Sequence, residues 1–106
     1  MSPPPPLSDA SDQEVVALAR ERREDAYREL LRRYQNPVFK LIQHLVHDRA
    51  LAEDLTQDTF VKLVQSLDRY DPKRKFSAWI FRIANNTALN HLRRKQLDTL
   101  ALDGSP

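Results

Sequence analysis

Between Tyr27 and Leu45 the apolar residues Tyr27, Leu30, Leu31, Tyr34, Val38, Leu41, Ile42 and Leu45 recur at i, i+3, i+4 and i+7, and they stay in phase across Asn36-Pro37. A stripe that holds its phase this long marks one face of a helix that must be covered by other elements. Pro37 removes an amide donor, so a single kinked helix is expected rather than two unrelated ones. With a single glycine, 41% apolar residues and no alternating strand pattern, the partners that cover the stripe are also expected to be helices. The expected class is all-α, a compact bundle of about four helices, with a disordered Pro-rich N-terminus and a C-terminal linker.

The other three helices follow from caps and spacing. Ser11-Asp12-Gln13-Glu14 reads as a capping box, in which the Ser11 hydroxyl and the Glu14 carboxylate each satisfy a free backbone amide. It predicts a short helix to about Arg22, with Val15, Val16, Leu18 and Ala19 inward. Asp48 suits the N-cap of a helix to about Leu67, burying Leu51, Leu55, Phe60, Leu63 and Leu67. Pro72 and the charges around it predict a turn over 69–75, and a last helix follows from about Phe76 to Lys95. Residues 1–10, with Pro3-Pro4-Pro5-Pro6, are expected to be a disordered leader, 11–95 the folded domain, and 96–106 a linker or tail.

Several function classes drop out early. The chain has no cysteine, which removes disulfides, thiolate catalysis and cysteine zinc sites. His44, His47 and His91 share no ligand spacing, so neither metal nor other cofactor is expected, and a small nuclease would lack its ligand cluster. Paired carboxylates on the third helix stand in a polar setting with no pocket signal, and no enzymatic activity is expected. No apolar stretch approaches the roughly 20 residues of a membrane span, so no membrane insertion is expected.

Charge is divided along the chain although the net value is only +2. From Arg69 to Lys95 stand Arg69, Lys73, Arg74, Lys75, Arg82, Arg93, Arg94 and Lys95 against the lone acid Asp71. From Asp48 to Asp68, Asp48, Glu53, Asp54, Asp58 and Asp68 outnumber Arg49 and Lys62. Two partner surfaces are implied, one of them for an anionic polymer. On the last helix Arg82, Asn86, Asn90 and Arg93 or Arg94 line one face, opposite Phe76, Ile80, Ile83, Ala84 and Thr87. Asparagines weaken a helix but present a donor and an acceptor to a base edge, and arginine clamps phosphate. A solvated polar face with locally bonded asparagines is the alternative. Lys73, Arg74 and Lys75, with Tyr70 and Phe76 nearby, suit a single strand, whose backbone cations track while an apolar surface takes an unstacked base. Trp79, spaced with Phe76 and Ile83, reads as core. Asp54, Gln57, Asp58, Val61 and Gln65 share one stripe that is either a docking surface or a solvated face.

Ala52-Glu53-Asp54-Leu55-Thr56-Gln57-Asp58-Thr59-Phe60, then Phe76-Ser77-Ala78-Trp79-Ile80-Phe81-Arg82-Ile83-Ala84-Asn85-Asn86 and Leu92-Arg93-Arg94, closely resemble region 2 of the bacterial σ70 family, in its extracytoplasmic-function (ECF) subgroup. The resemblance covers about residues 12–95. It implies a cytoplasmic transcription initiation factor, not an enzyme, that docks on the clamp helices of the largest subunit of core RNA polymerase and recognises the single-stranded non-template −10 promoter element. Carried onto this chain, it makes Asp54, Gln57, Asp58 and Val61 the polymerase-facing groups. The loop from Asp71 to Lys75, with Lys73, Arg74 and Lys75, becomes the segment that receives a flipped base, Phe76 and Ser77 count with it as DNA-binding residues, and Arg82, Asn86, Asn90, Arg93 and Arg94 form the promoter-contacting helix. An anti-sigma factor is a further implied partner, and the alternative function is a sigma-like module that binds such a factor without recognising DNA. The family's second, −35-binding domain has no counterpart after Lys95, and the Pro-rich leader gains no role.

Overall fold

In the computed structural model, which describes residues 6–102, the in-phase stripe becomes α2 (Glu24–Val46), and α2 packs against every other helix. Around it lie α1 (Asp12–Arg20), α3 (Arg49–Ser66) and α4 (Phe76–Leu102), with short 3-10 turns at Leu7–Asp9 and Leu67–Arg69. The architecture is an all-α bundle, with no strand among the described residues. α2 runs through Pro37 without a break, because the ring lies on the exposed face and only one backbone bond is forfeited. The core gathers Val15, Val16 and Ala19, then Ala26, Leu30, Val38 and Ile42, then Ala52, Leu55, Leu63 and Leu67, and finally Tyr70, Phe76, Ile80, Ala84 and Ala88. Leu31, expected inward, is instead 39% exposed: the buried face of α2 is narrower than its apolar stripe.

The caps differ in detail from expectation. Ser11 Oγ accepts from the Glu14 amide at 3.1 Å, but the Glu14 carboxylate takes the Ser11 hydroxyl at 3.2 Å rather than a backbone amide. α1 stops at Arg20, two residues before the expected end, and Arg22 turns the chain with φ of 65°. His47 closes α2 in the same left-handed region, at φ of 54°. Neither turn carries the glycine that would relieve Cβ crowding, which is why neither boundary announces itself in the sequence. Asp48 caps α3 as expected, accepting from the Leu51 amide at 3.1 Å. α4 continues past the expected end at Lys95 to Leu102, because Gln96, Leu97 and Leu100 favour helix even though Leu97 and Leu100 are exposed. The rest of the expected tail, 103–106, lies outside the described residues.

The leader is also more ordered than its prolines suggest. Residues 1–5 lie outside the described residues, but Leu7 and Ala10 pack on the core. Arg33 on α2 donates to the carbonyls of Leu7 at 2.8 Å and Ala10 at 2.6 Å, and pairs with Asp12 at 2.9 Å and Glu29 at 2.6 Å. One guanidinium thereby satisfies backbone that would otherwise turn to water, overriding the local tendency to disorder. Tyr34 donates its hydroxyl to Asp12, and burial together with that carboxylate holds the phenol protonated well above its usual range.

Glu29 is nearly buried, and its bonds to Arg32 and then Arg33 lower its pKa from 4.5 to about 2. Its depressed folded pKa gives a contribution that is full above the ordinary carboxylate value and lost as the folded protein takes up the proton. Thermal melts should therefore show the gap between the wild type and Glu29→Gln shrinking as pH falls from 4.5 to about 2. A gap that stays constant across this window would mean the arginines do not hold the charge.

Candidate nucleic-acid interface

Chain segment 67–76 turns the polypeptide from α3 into α4 and is shaped by its own carboxylate. Asp71 accepts from the Lys73 amide at 2.9 Å through its side chain and from the Arg74 amide at 2.9 Å through its carbonyl. The Arg74 guanidinium stands 4.0 Å from the same carboxylate. Asp71 therefore folds the loop, and its side chain is engaged there. Lys73, Arg74 and Lys75 are all exposed, so the three cations form a solvent-facing edge with long reach.

Beneath the loop lies an aromatic nest. Tyr70 meets Phe76 edge-on with centroids 5.4 Å apart and Trp79 at 5.0 Å, while Tyr34 packs edge-on to Phe76 at 5.5 Å. Phe76, expected to face a strand, is 1% exposed and has no free ring face for a base. Its period places it on the same side as Ile80 and Ala84, which anchors the start of α4 in the core. Ser77 is half-buried beside it, and Trp79 packs partly buried on the core, as its spacing implied.

Along α4 the expected polar face is real but does not act alone. Asn86 and Asn90 face the end of α3, and together with Lys62, Gln65, Ser66, Arg69, Ile83 and Thr87 they line an open recess of about 390 Å³. Two cations, three amides and two hydroxyls stand around one aliphatic side chain, with no acid. Lys62 Nζ donates to Thr87 Oγ1 at 3.2 Å, tying the two walls together. Arg82 is exposed one turn before Asn86 on the same helix face. Arg93 is exposed and donates to Asn90 Oδ1 at 3.3 Å. Arg94 turns toward a neighbouring recess of about 630 Å³, which it shares with Lys62, Asp58 and His91. Sequence reasoning did not place Lys62 or Ser66 in this recess, set Gln65 on the docking stripe, and counted Arg69 only with the basic segment. Their signal was present: positions 62, 65, 66 and 69 fall on one helical face, but counting charge along the chain assigns Lys62 to an acidic stretch.

The other flank of α3 is apolar. Leu31 of α2 and Phe60, Val61 and Val64 of α3 line a groove of about 460 Å³, edged by Gln35, Gln57 and Gln65. Val61 is 54% and Val64 45% exposed, which is unusual for side chains clustered this way. Gln57 and Val61 of the expected docking stripe sit in this groove and Asp54 is exposed nearby, whereas Asp58 faces the recess toward α4. The stripe thus straddles a ridge between two concavities.

Known proteins resemble this chain in a consistent way. The family model described as Sigma-70 region 2 matches residues 30–97. The chain is 31% identical over 75 residues to the ECF RNA polymerase sigma factor SigW of Bacillus subtilis, covering 71% of this chain and 40% of that protein. To the RNA polymerase sigma-H factor of Pseudomonas aeruginosa it is 35% identical over 86 residues, covering 81% of this chain and 45% of that protein. It spans less than half the length of these curated relatives. Among solved structures, an engineered region 2 of sigmaE in complex with GTAAAA aligns with a TM-score of 0.76 at 36% identity, over 81% of this chain and 90% of that one.

Proposed function

Because the chain belongs to the Sigma-70 region 2 family, in its ECF branch, we propose that it reads the single-stranded non-template −10 element in the recess between α3 and α4 while its apolar groove docks on the clamp helices of core RNA polymerase. The family is one of transcription initiation factors, not enzymes. The observation that carries the proposal is the acid-free lining of the recess: Asn86, Asn90 and Gln65 carry the paired donors and acceptors that suit a base edge, and Lys62 and Arg69 stand beside them with the charge that suits its phosphates. A concavity of this size takes a base drawn out of the stack, which an intact duplex does not present. The solved relative's complex with GTAAAA supports a short nucleic-acid segment as the ligand. A module that bound only an anti-sigma factor would have no use for such a lining.

The reading unit is residues 11–95, widened by Leu7–Ala10, which Arg33 holds to the domain. No helix among the described residues is long and apolar enough to cross a membrane. Work beside RNA polymerase would place the protein in the bacterial cytoplasm.

The test is selection from a randomised single-stranded DNA library at one fixed salt concentration, since phosphate attraction alone varies steeply with salt. One short motif should be enriched, and it should lose its advantage when annealed into duplex. A library that emerges as random as it began would overturn the proposal.

A further inference from the structure

The cationic loop is not held by α3 and α4 alone. α1, which lines none of the recesses described above, reaches the loop segment at both of its ends. At the near end, Arg20 Nη2 donates to the Asp68 carbonyl at 2.8 Å, in the 3-10 turn that delivers the chain into the loop. At the far end, Gln13 Nε2 donates to Tyr70 Oη at 2.9 Å and to the Arg74 carbonyl at 3.4 Å. Tyr70 Oη donates to that same carbonyl, so amide, phenol and carbonyl close a triangle.

Each corner of the triangle differs in freedom. Tyr70 is 2% exposed and wedged among Phe76 and Trp79, so its hydroxyl has a fixed position. Gln13 is exposed, but the residue before it, Asp12, is bound by Arg33 and Tyr34, which seats the start of α1. The Arg74 carbonyl belongs to an exposed loop whose internal bonds, both to Asp71, set its local turn. Those bonds do not set where the turn stands on the domain. Tyr70 and Phe76 anchor the two ends of the loop in the core, and among the described residues the triangle is the side-chain bridge that ties its Arg74 carbonyl to α1 as well.

We propose that α1 aims the reading loop: Gln13 is a positioning residue that, through Tyr70 and the Arg74 carbonyl, sets where Lys73, Arg74 and Lys75 stand relative to the recess. The inference rests on the strand-reading function above and adds to it a device outside the contact surface. A loop released from this brace keeps its charges and still attracts any strand. What it loses is register, because phosphate contacts position a strand and base contacts specify it.

The experiment uses the full chain and, as probe, the strand enriched from the randomised library, together with its single-base variants at fixed salt. Gln13→Met keeps length and helix preference without the donor, and Tyr70→Phe keeps the buried ring without the hydroxyl. Each should lower discrimination about five- to tenfold, the scale of one missing hydrogen bond, at the bases nearest the loop. Affinity for scrambled strands, discrimination at bases that depend on Asn86, and the melting temperature of Gln13→Met should be unchanged. Each single variant leaves the other's bond to the Arg74 carbonyl in place, so the double variant, which removes both donors, should lose the most discrimination at those bases. Unchanged discrimination at every base, or a uniform loss at all of them, would overturn the aiming role. If the wild type enriches no motif, the strand-reading function itself fails and the aiming role falls with it.

Discussion

Val61→Asp is expected to weaken binding to core RNA polymerase about a hundredfold or more, with strand reading left intact. Val61 stands in the groove with Leu31, Phe60 and Val64, and a docked helix would cover it. A carboxylate brought there loses its water and finds no cation in the lining, a situation that costs about 3–5 kcal/mol when a charge is left buried and unpaired. Because Val61 is more than half exposed in the free domain, the same change should alter folding stability by no more than helix preference, about 0.5 kcal/mol. Asp54→Ala with Gln57→Ala, at the rim of the groove, should weaken the same binding by about tenfold, as rim residues contribute less than covered ones. Pull-down of core polymerase with the purified variants gives the measurement. Undiminished capture by Val61→Asp would remove the apolar groove from the docking surface.

Asn86→Ala is expected to cost about 1–3 kcal/mol against the preferred strand, roughly ten- to a hundredfold in affinity, and to flatten the preference at one base. Affinity for a scrambled strand should hardly change. Replacing Lys73, Arg74 and Lys75 together by alanine makes a different signature. Scrambled strands should now weaken as well, register at the bases nearest the loop should be lost, and the slope of log affinity against log salt should fall by about 0.7 for each phosphate that is no longer neutralised. Anisotropy titrations of both variants at several salt concentrations separate the two roles. If Asn86→Ala lowered affinity for every strand equally, the amide would be holding the groove rather than reading it.

Much of the fold was legible because it depends on local order. The stripe from Tyr27 to Leu45 held its phase across Pro37, and α2 is continuous there. Asp48 named its own helix start. Features that depend on what lies across the bundle were harder to see. Leu31 looks like core on its own helix, and only the path of α3 leaves it in a groove. Lys62 counts as a minor cation in an acidic stretch until Thr87 and Asn86 come beside it. Leu7 and Ala10 follow a proline run whose composition says nothing of Arg33, more than 20 residues away. Phe76 borders a basic cluster in sequence and points away from it in space, since a helix separates neighbours that a linear reading joins.

α3 has almost no idle surface. Ala52, Leu55, Thr56, Thr59 and Leu63 are buried, Phe60, Val61 and Val64 face the apolar groove, and Asp58, Lys62 and Ser66 face the recesses toward α4. A change that rotates or shifts this helix to suit a new protein partner also moves Lys62 and the wall against which a strand would be read. Descendants of this chain would therefore find it hard to retune α3 for one partner without disturbing the other. Freedom to drift toward new target sequences would fall instead to the α4 wall of the recess, Asn86 and Asn90, which can change while α3 stays as it is.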